Sequence, residues 1–328
     1  MNDRSITVLE QYDIPVDKLR KGRGVFLFDS NGQSYVLKEY QGAKERLVFL
    51  AAALEAAYEK GAHNIERIYA NKEGELITED FEHTPFFVKS YFPGKECDLT
   101  NVNECIVSMK ALATLHNRLA GFFDEVDIDK LPFLREIEKH NKELTKVRKF
   151  LKEKSQKTEF ELFLLKHYDI FFTKAKNIIL ELEKENIDVW LQEIKSQKWI
   201  CHGEYQHHNI LVDKGNCYVV NFEKMIVDNP IRDVYLFLRK LMEKNNWKSE
   251  LYYQLLDAYC SVRELSANDI SQLKYRFWYP EKFWKIVNFY YNNSKAWMSY
   301  KNQEKLEKFL EQDKYKQIFL EKVFFTDI

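Results

Sequence analysis

The sequence predicts an α+β fold in two lobes, a small β-rich N-terminal one over residues 1–92 and a large, mostly helical one over residues 93–328. Short apolar runs separated by turn residues crowd the first stretch, whereas apolar residues at three- and four-residue spacing dominate the second. Only 10 Gly and 6 Pro in 328 residues, with aromatics at 15%, point the same way, to long helices packed through aromatic side chains.

The elements follow in order. "RGVFLFDSNGQSYVLKEY", residues 23–40, holds two apolar runs around Asn31-Gly32, a dipeptide that favours tight hairpin turns, so a hairpin ending at Lys38 is expected. A preceding strand is placed in residues 5–10. "AKERLVFLAAALEAAYEKGA" has helical spacing and a stop at Lys60-Gly61. "IERIYA", "ELITED" and "PFFVKSYF" read as further strands, and Pro93-Gly94 marks the lobe boundary. Beyond it, "VNECIVSMKALATLHNRLAGF" is a helix closing at Gly121. Leu134, Ile137, Leu144, Val147 and Leu151 stripe the next helix, whose Lys/Arg-rich side is a solvated face. Long helices are expected from Glu159 to Gln197, then a short strand pair around "DKGN". The C-terminal third is helical, with Pro280 suited to a first turn and an aromatic stripe that belongs to the core rather than to a base-stacking surface.

Composition narrows the classes of partner. Lys+Arg 50 against Asp+Glu 51 gives a formal net charge of -1, with no basic surplus for nucleic acid. The five cysteines are scattered, without C-x-x-C spacing, and fit reduced thiols better than a disulfide framework. Neither the start "MNDRSITVLEQYDIPV" nor any later run is apolar enough for a signal peptide or a membrane span, so neither general secretion nor a membrane partner is expected.

The densest chemistry lies in "CHGEYQHHNILV", residues 201–212, which sets His202, Glu204, His207, His208 and Asn209 between apolar flanks. Zinc would need three or four ligands in one geometry, and no H-E-x-x-H helix or Cys pair accompanies these residues. An acyl-transfer nucleophile lacks its G-x-S-x-G setting. Phosphoryl transfer fits better: a loop carboxylate orients the acceptor hydroxyl, and an Asn five residues on binds a metal ion bridging the phosphates, which is the spacing of Glu204 and Asn209. The other parts follow in chain order. Lys38 ends the hairpin where a phosphate-binding Lys is needed, with Glu45, or else Glu55, on the next helix to fix it. Asn221 or Glu223, brought to one side by an extended backbone, would complete the metal site. Tyr91, Phe92 and Pro93 fit a hinge beside an adenine ring, and Gly22 and Gly24 are the nearest approach to a phosphate loop. His202 is read as a brace for the loop, His207 and His208 as loop residues, and Asp233 as a helix cap.

"HGEYQHHNIL", "VVNFEKM" and "PIRDVYLFLRKLMEKNNW" together resemble the aminoglycoside phosphotransferase and choline kinase superfamily, and within it the CotS-type spore coat proteins of endospore-forming bacteria. "YVLKEY", "ALATLHNRLAGF" and "YPEKFWKIVNFYYNNSKAW" extend the resemblance over nearly the whole chain. It implies a bilobal protein-kinase-like fold in which 201–225 is the catalytic-loop-like segment, with ATP and Mg2+ as cofactors. By the same resemblance Glu204 and Asn209 are catalytic, Lys38, Glu45, Tyr91 and Phe92 bind the nucleotide, and Asn209, Asn221 and Glu223 bind the metal. Spore coat proteins are the implied partners, the mother-cell cytoplasm and then the coat the implied location, and a protein or small hydroxylated substrate the acceptor.

Two residues depart from the superfamily pattern. Its loop usually reads H-G-D, so Glu204 sets the carboxylate one methylene further out, and positional errors near 1 Å can cost about a hundredfold in rate. Asn221 stands where Asp is usual and offers a metal a carbonyl oxygen without charge. Two functions are therefore open: an ATP- and magnesium-dependent phosphotransferase acting in spore coat assembly, and a structural coat protein that keeps the fold without turnover.

Overall fold

Asn31 and Gly32 both take positive φ, 49° and 79°, which is the left-handed pair a two-residue hairpin turn requires. The computed structural model in which this is seen describes residues 3–22, 24–123, 127–292 and 299–325. The turn joins β2 (Val25–Ser30) to β3 (Gln33–Glu39). With β1 (Lys18–Lys21), β4 (Ile68–Tyr69), β5 (Thr78–Glu79) and β6 (Pro85–Ser90) they form a six-stranded sheet in the order β1-β2-β3-β6-β4, β5 pairing with β6. Its strands pair antiparallel. Helix α1 (Asp3–Leu9) precedes the sheet, and α2 (Lys44–Glu59) follows β3 and stops at Gly61, where φ is 92°.

The strand expected at residues 5–10 is instead part of α1. Val8, Leu9 and Tyr12 are buried together against Phe28, Tyr35, Leu37, Phe86 and Val88, a helical spacing of apolar residues rather than an alternation. The true first strand, "KLRK", is an exposed edge with no apolar pattern to reveal it. Lys38 is accordingly still on the third strand.

The chain folds into two compact units, each assembled from separate stretches. The first comprises Met1–Phe122, Ile200–Ile226 and Ser261–Arg263. Besides the sheet it holds β7 (Lys95–Glu96), α3 (Val102–Leu119), β8 (Ile200–Cys201), β9 (Ile210–Asp213) and β10 (Asn216–Val219). Asn101 opens α3, its side chain accepting from the Asn103 and Glu104 amides. The expected strand pair is β9 and β10, turned by Lys214 and Gly215 at positive φ, and β7 adds to its β9 edge.

The second unit comprises Phe123–Trp199, Val227–Cys260 and Glu264–Ile328 and is helical among its described residues. Its helices are α4 (Pro132–Glu153), α5 (Glu159–Leu182), α6 (Ile187–Gln197), α7 (Ile231–Lys244), α8 (Ser249–Cys260), α9 (Ala267–Trp278), α10 (Glu281–Asn292) and α11 (Ser299–Leu320). The expected stripe on α4 packs a core with Phe160, Tyr168, Phe171, Phe283 and Phe309, so the aromatic residues are interior here. The first amide of α7 is capped by Asn229, whose side chain accepts at 2.8 Å, while Asp233 sits within the first turn and fully buried, so Asn229 takes the cap expected of Asp233. No described helix is long and apolar enough to cross a membrane.

Candidate active site

The two-residue period of β2, β3 and β6 decides which side chains meet. Leu37, Phe86 and Val88 point into the apolar core of the sheet, and their neighbours point the other way. The register pairs Val36 with Lys89, Lys38 with Phe87, Leu27 with Val36 and Val25 with Lys38, so one face presents Val25, Leu27, Val36, Lys38 and Lys89 together. This face forms one wall of a cleft of about 590 Å³ lying within the first compact unit. Gly22 and Gly24 line its rim in the turn between β1 and β2, Tyr91 and Phe92 follow β6, and Leu211 and Val220 complete the apolar part. Phe92 stacks on Tyr218 with ring centroids 4.6 Å apart, which holds its ring at the mouth.

The loop of residues 201–212 forms the opposite side. Gly203 has φ +81°, and a Cβ there would lie 1.9 Å from the Lys224 carbonyl oxygen, so only glycine lets the loop cross the chain at this point. His202 is buried; its Nε2 donates to the Val220 carbonyl at 3.0 Å and its Nδ1 accepts from the Glu204 amide at 3.1 Å, which fixes the tautomer and braces the loop. The half-buried Glu204 carboxylate lines the cleft and has no side-chain partner among the described residues. Asn209 is buried and donates through Nδ2 to the Glu204 carbonyl at 2.9 Å, closing the five-residue loop on itself. His208 is exposed on the cleft wall.

Lys38 pairs with Glu223, Nζ to Oε1 2.5 Å, and not with Glu45, which is exposed in the first turn of α2. Glu55, the other candidate, is held by Arg67 Nε and Nη2 at 3.0 and 2.8 Å. The reason lies in Arg46: its guanidinium donates to the Glu223 and Met225 carbonyls, so α2 grips the segment after β10 by its backbone and leaves the Glu223 side chain for Lys38. Nor is that segment extended. Asn221 takes a left-handed conformation, φ 66° and ψ 58°, ahead of a single 3-10 turn over Phe222–Lys224. The two side chains nonetheless converge on one atom.

That atom is the Lys89 ammonium nitrogen, which the sequence reading did not single out. It donates to Glu66 Oε2 at 2.8 Å, Asn221 Oδ1 at 2.9 Å and Glu223 Oε1 at 3.4 Å, using all three of its protons. Its side chain is 4% exposed and that of Glu66 1%. Glu66 also accepts from the Asn221 and Phe222 amides at 2.8 and 3.0 Å. Burial opposes the charge on Lys89, but the Glu66 and then the Glu223 carboxylates outweigh it and hold the ammonium above its usual pKa. Burial likewise pushes Glu223 up, and the Lys89 and Lys38 ammoniums overcome it, bringing the carboxyl down to about 2. The detectable signal was a lysine inside the apolar strand "PFFVKSYF" and a glutamate inside "NIERIY".

Three of the four side-chain oxygens expected to bind a metal already accept hydrogen bonds. Asn209 Oδ1 accepts from Asn221 Nδ2 at 2.9 Å, Asn221 Oδ1 from Lys89, and Glu223 Oε1 from Lys38 and Lys89. The amides are oriented in series, because turning Asn221 over would aim its NH2 at the Lys89 ammonium, and turning Asn209 over would lose the Glu204 carbonyl. A magnesium ion about 2.1 Å from Asn221 Oδ1 would sit no more than about 5 Å from the ammonium. At an effective dielectric of 20 that repulsion is about 7 kcal/mol before the carboxylates offset it. The donor set, as arranged, does not fit a divalent ion.

Residues 5–323 match the family described as "Spore coat putative kinase YutH". Spore coat protein S of Bacillus subtilis (strain 168) is 23% identical over 96% of this chain and 92% of its own length. Among solved structures, an aminoglycoside phosphotransferase from Alicyclobacillus acidocaldarius superposes with TM-score 0.83 at 17% identity, covering 97% of this chain and 94% of that one. An AMP-bound spectinomycin phosphotransferase gives 0.62 at 16% identity and 99% of both chains. An amicoumacin kinase in complex with AMP-PNP and Ca2+ gives 0.65 at 11%, covering 97% and 94%. These likenesses establish the α+β kinase-like fold expected from the motifs.

Proposed function

The chain belongs to the spore coat kinase-like family matched over residues 5–323, and on that premise we propose that it serves the spore coat as a nucleotide-binding module, its cleft taking a nucleoside di- or triphosphate. The observation that carries this reading is a single concave face with two chemistries. Val25, Leu27, Val36, Leu211 and Val220 offer an apolar slot for a base beside the Phe92 ring, and Lys38 and Lys224 line the same cleft, where phosphates would lie. Lys38 is 33% exposed and free to trade part of its contact with Glu223 for a phosphate oxygen. The structural neighbours crystallised with AMP or AMP-PNP support the same use of the fold.

A second reading, phosphoryl transfer to a hydroxyl, is favoured by one observation: the unpartnered Glu204 carboxylate faces the cleft from the loop position of a general base. Membership of the family supports a spore coat location under either reading, and coat proteins are the partners proposed with it.

Calorimetric titration of ATP into the full chain tests the proposal. Saturable binding at one site is expected, weakened about tenfold or more by Lys38→Ala, the value of a lost charge-assisted hydrogen bond. An absence of heat, or affinity indifferent to Lys38→Ala and Phe92→Ala, would remove the nucleotide from the account. Turnover of ATP with magnesium that disappears in Glu204→Gln would establish the second reading.

A further inference from the structure

We infer that Lys89 takes the place of a divalent ion in this cleft, so that a nucleoside di- or triphosphate binds here without magnesium. The inference rests on the nucleotide reading above and names the counter-charge that such binding uses. In a phosphate-binding cleft of this kind a metal has two tasks: it gathers the acidic and amide side chains of the loop, and it offsets phosphate charge. Lys89 performs the first with its three protons, joining Glu66 from the approach to β4, Asn221 from the left-handed turn and Glu223 from the 3-10 turn. The hydrogen bonds then run in one direction, from Lys89 to Asn221 Oδ1, from Asn221 Nδ2 to Asn209 Oδ1, and from Asn209 Nδ2 to the Glu204 carbonyl. One buried ammonium thereby sets the orientation of both amides.

The second task also has an occupant. Lys89 and Lys38 balance Glu66 and Glu223, so the carboxylates that would repel phosphate are already paired. Incoming phosphate oxygens meet Lys38 and Lys224, both on the cleft wall, with Glu204 as the one carboxylate there left unpaired among the described residues. An Asn at position 221 is the matching residue for this arrangement. An ammonium and a neutral carbonyl oxygen complete the site, whereas an Asp would add a third carboxylate beside Glu66 and Glu223.

The test is titration of AMP-PNP into the wild-type chain in EDTA and again in excess MgCl2. Dissociation constants within about threefold of each other are expected, and binding that appears only with magnesium, or tightens more than tenfold with it, overturns the inference. Absence of binding in both buffers overturns the nucleotide reading and this inference with it. The double variant Lys89→Met/Glu66→Gln, which removes the buried ammonium together with its counter-ion, frees Asn221 Oδ1 and part of Glu223. Once shown to be folded by circular dichroism, it should gain a magnesium dependence of more than tenfold. Retention of the wild-type indifference would show that Lys89 is not what stands in for the ion.

Discussion

Replacing Lys89 with Met keeps the length of the side chain and removes the charge, and the structure sets the cost. Glu66 is 1% exposed and would keep its two backbone donors but lose its ammonium. Asn221 Oδ1 would lose its donor, while Glu223 retains Lys38. Removing one partner of a buried ion pair costs about 3–5 kcal/mol, because the other charge is stranded in a medium that cannot solvate it. At about 2–4 °C per kcal/mol for a domain of 150–250 residues, the melting temperature should fall by roughly 6–20 °C. Glu66→Gln alone takes the nearer carboxylate from the ammonium and leaves it Glu223 at 3.4 Å, so it should cost somewhat less. The double variant removes both charges and leaves a Gln oxygen for the amides, so most of the loss should return, giving a coupling of about 2 kcal/mol or more. Thermal melts of the four proteins at pH 7, followed by circular dichroism, measure it. A single-variant cost below about 1 kcal/mol, or simple additivity in the double variant, would refute the claim that this pair is a closed and buried unit.

Other consequences can be checked independently. The Glu223 carboxyl is depressed from 4.5 to about 2 by its two lysines, so its contribution, on the order of 3 kcal/mol, is present above pH 4.5 and lost as pH falls through 2. An acid-unfolding titration should therefore flatten in that window for Glu223→Gln, and an unchanged profile would contradict the pairing. Gly203→Ala would drive a Cβ to 1.9 Å from a backbone oxygen at φ +81°, and should destabilise by more than about 4 kcal/mol or leave the protein insoluble; a folded variant with wild-type melting would refute the close crossing. In the helical unit, Glu281 is half-buried against Arg239 at 3.4 Å and accepts from the Tyr235 hydroxyl at 2.6 Å, so Glu281→Leu should cost about 3 kcal/mol in urea unfolding.

Much of this was legible in the sequence because the strongest signals are local. Asn31-Gly32 demanded its turn, the helical spacings demanded their helices, and the spacing from Glu204 to Asn209 marked the loop. Residues 5–10 were misread because three apolar residues in a short segment suit a strand or a helix until their partners are known, and Lys18–Lys21 is an edge strand without an apolar face. The Lys38 partner was not legible either. Whether Glu45, Glu55 or Glu223 reaches it depends on where Arg46 pulls the segment after β10, a contact spanning more than half the chain. Lys89 and Glu66 were visible only as charges inside apolar runs, and what each faced depended on the register of β3 against β6.

The most direct test is a crystal of the full chain grown with AMP-PNP and MnCl2, with data collected at the manganese absorption edge. Expected are the base against Phe92, phosphates against Lys38 and Lys224, Lys89 still bound to Asn221 and Glu66, and no anomalous peak within bonding distance of Asn209 or Asn221. A manganese ion ligated by Asn209, Asn221 and Glu223 with Lys89 displaced, or a cleft empty of nucleotide, would contradict it.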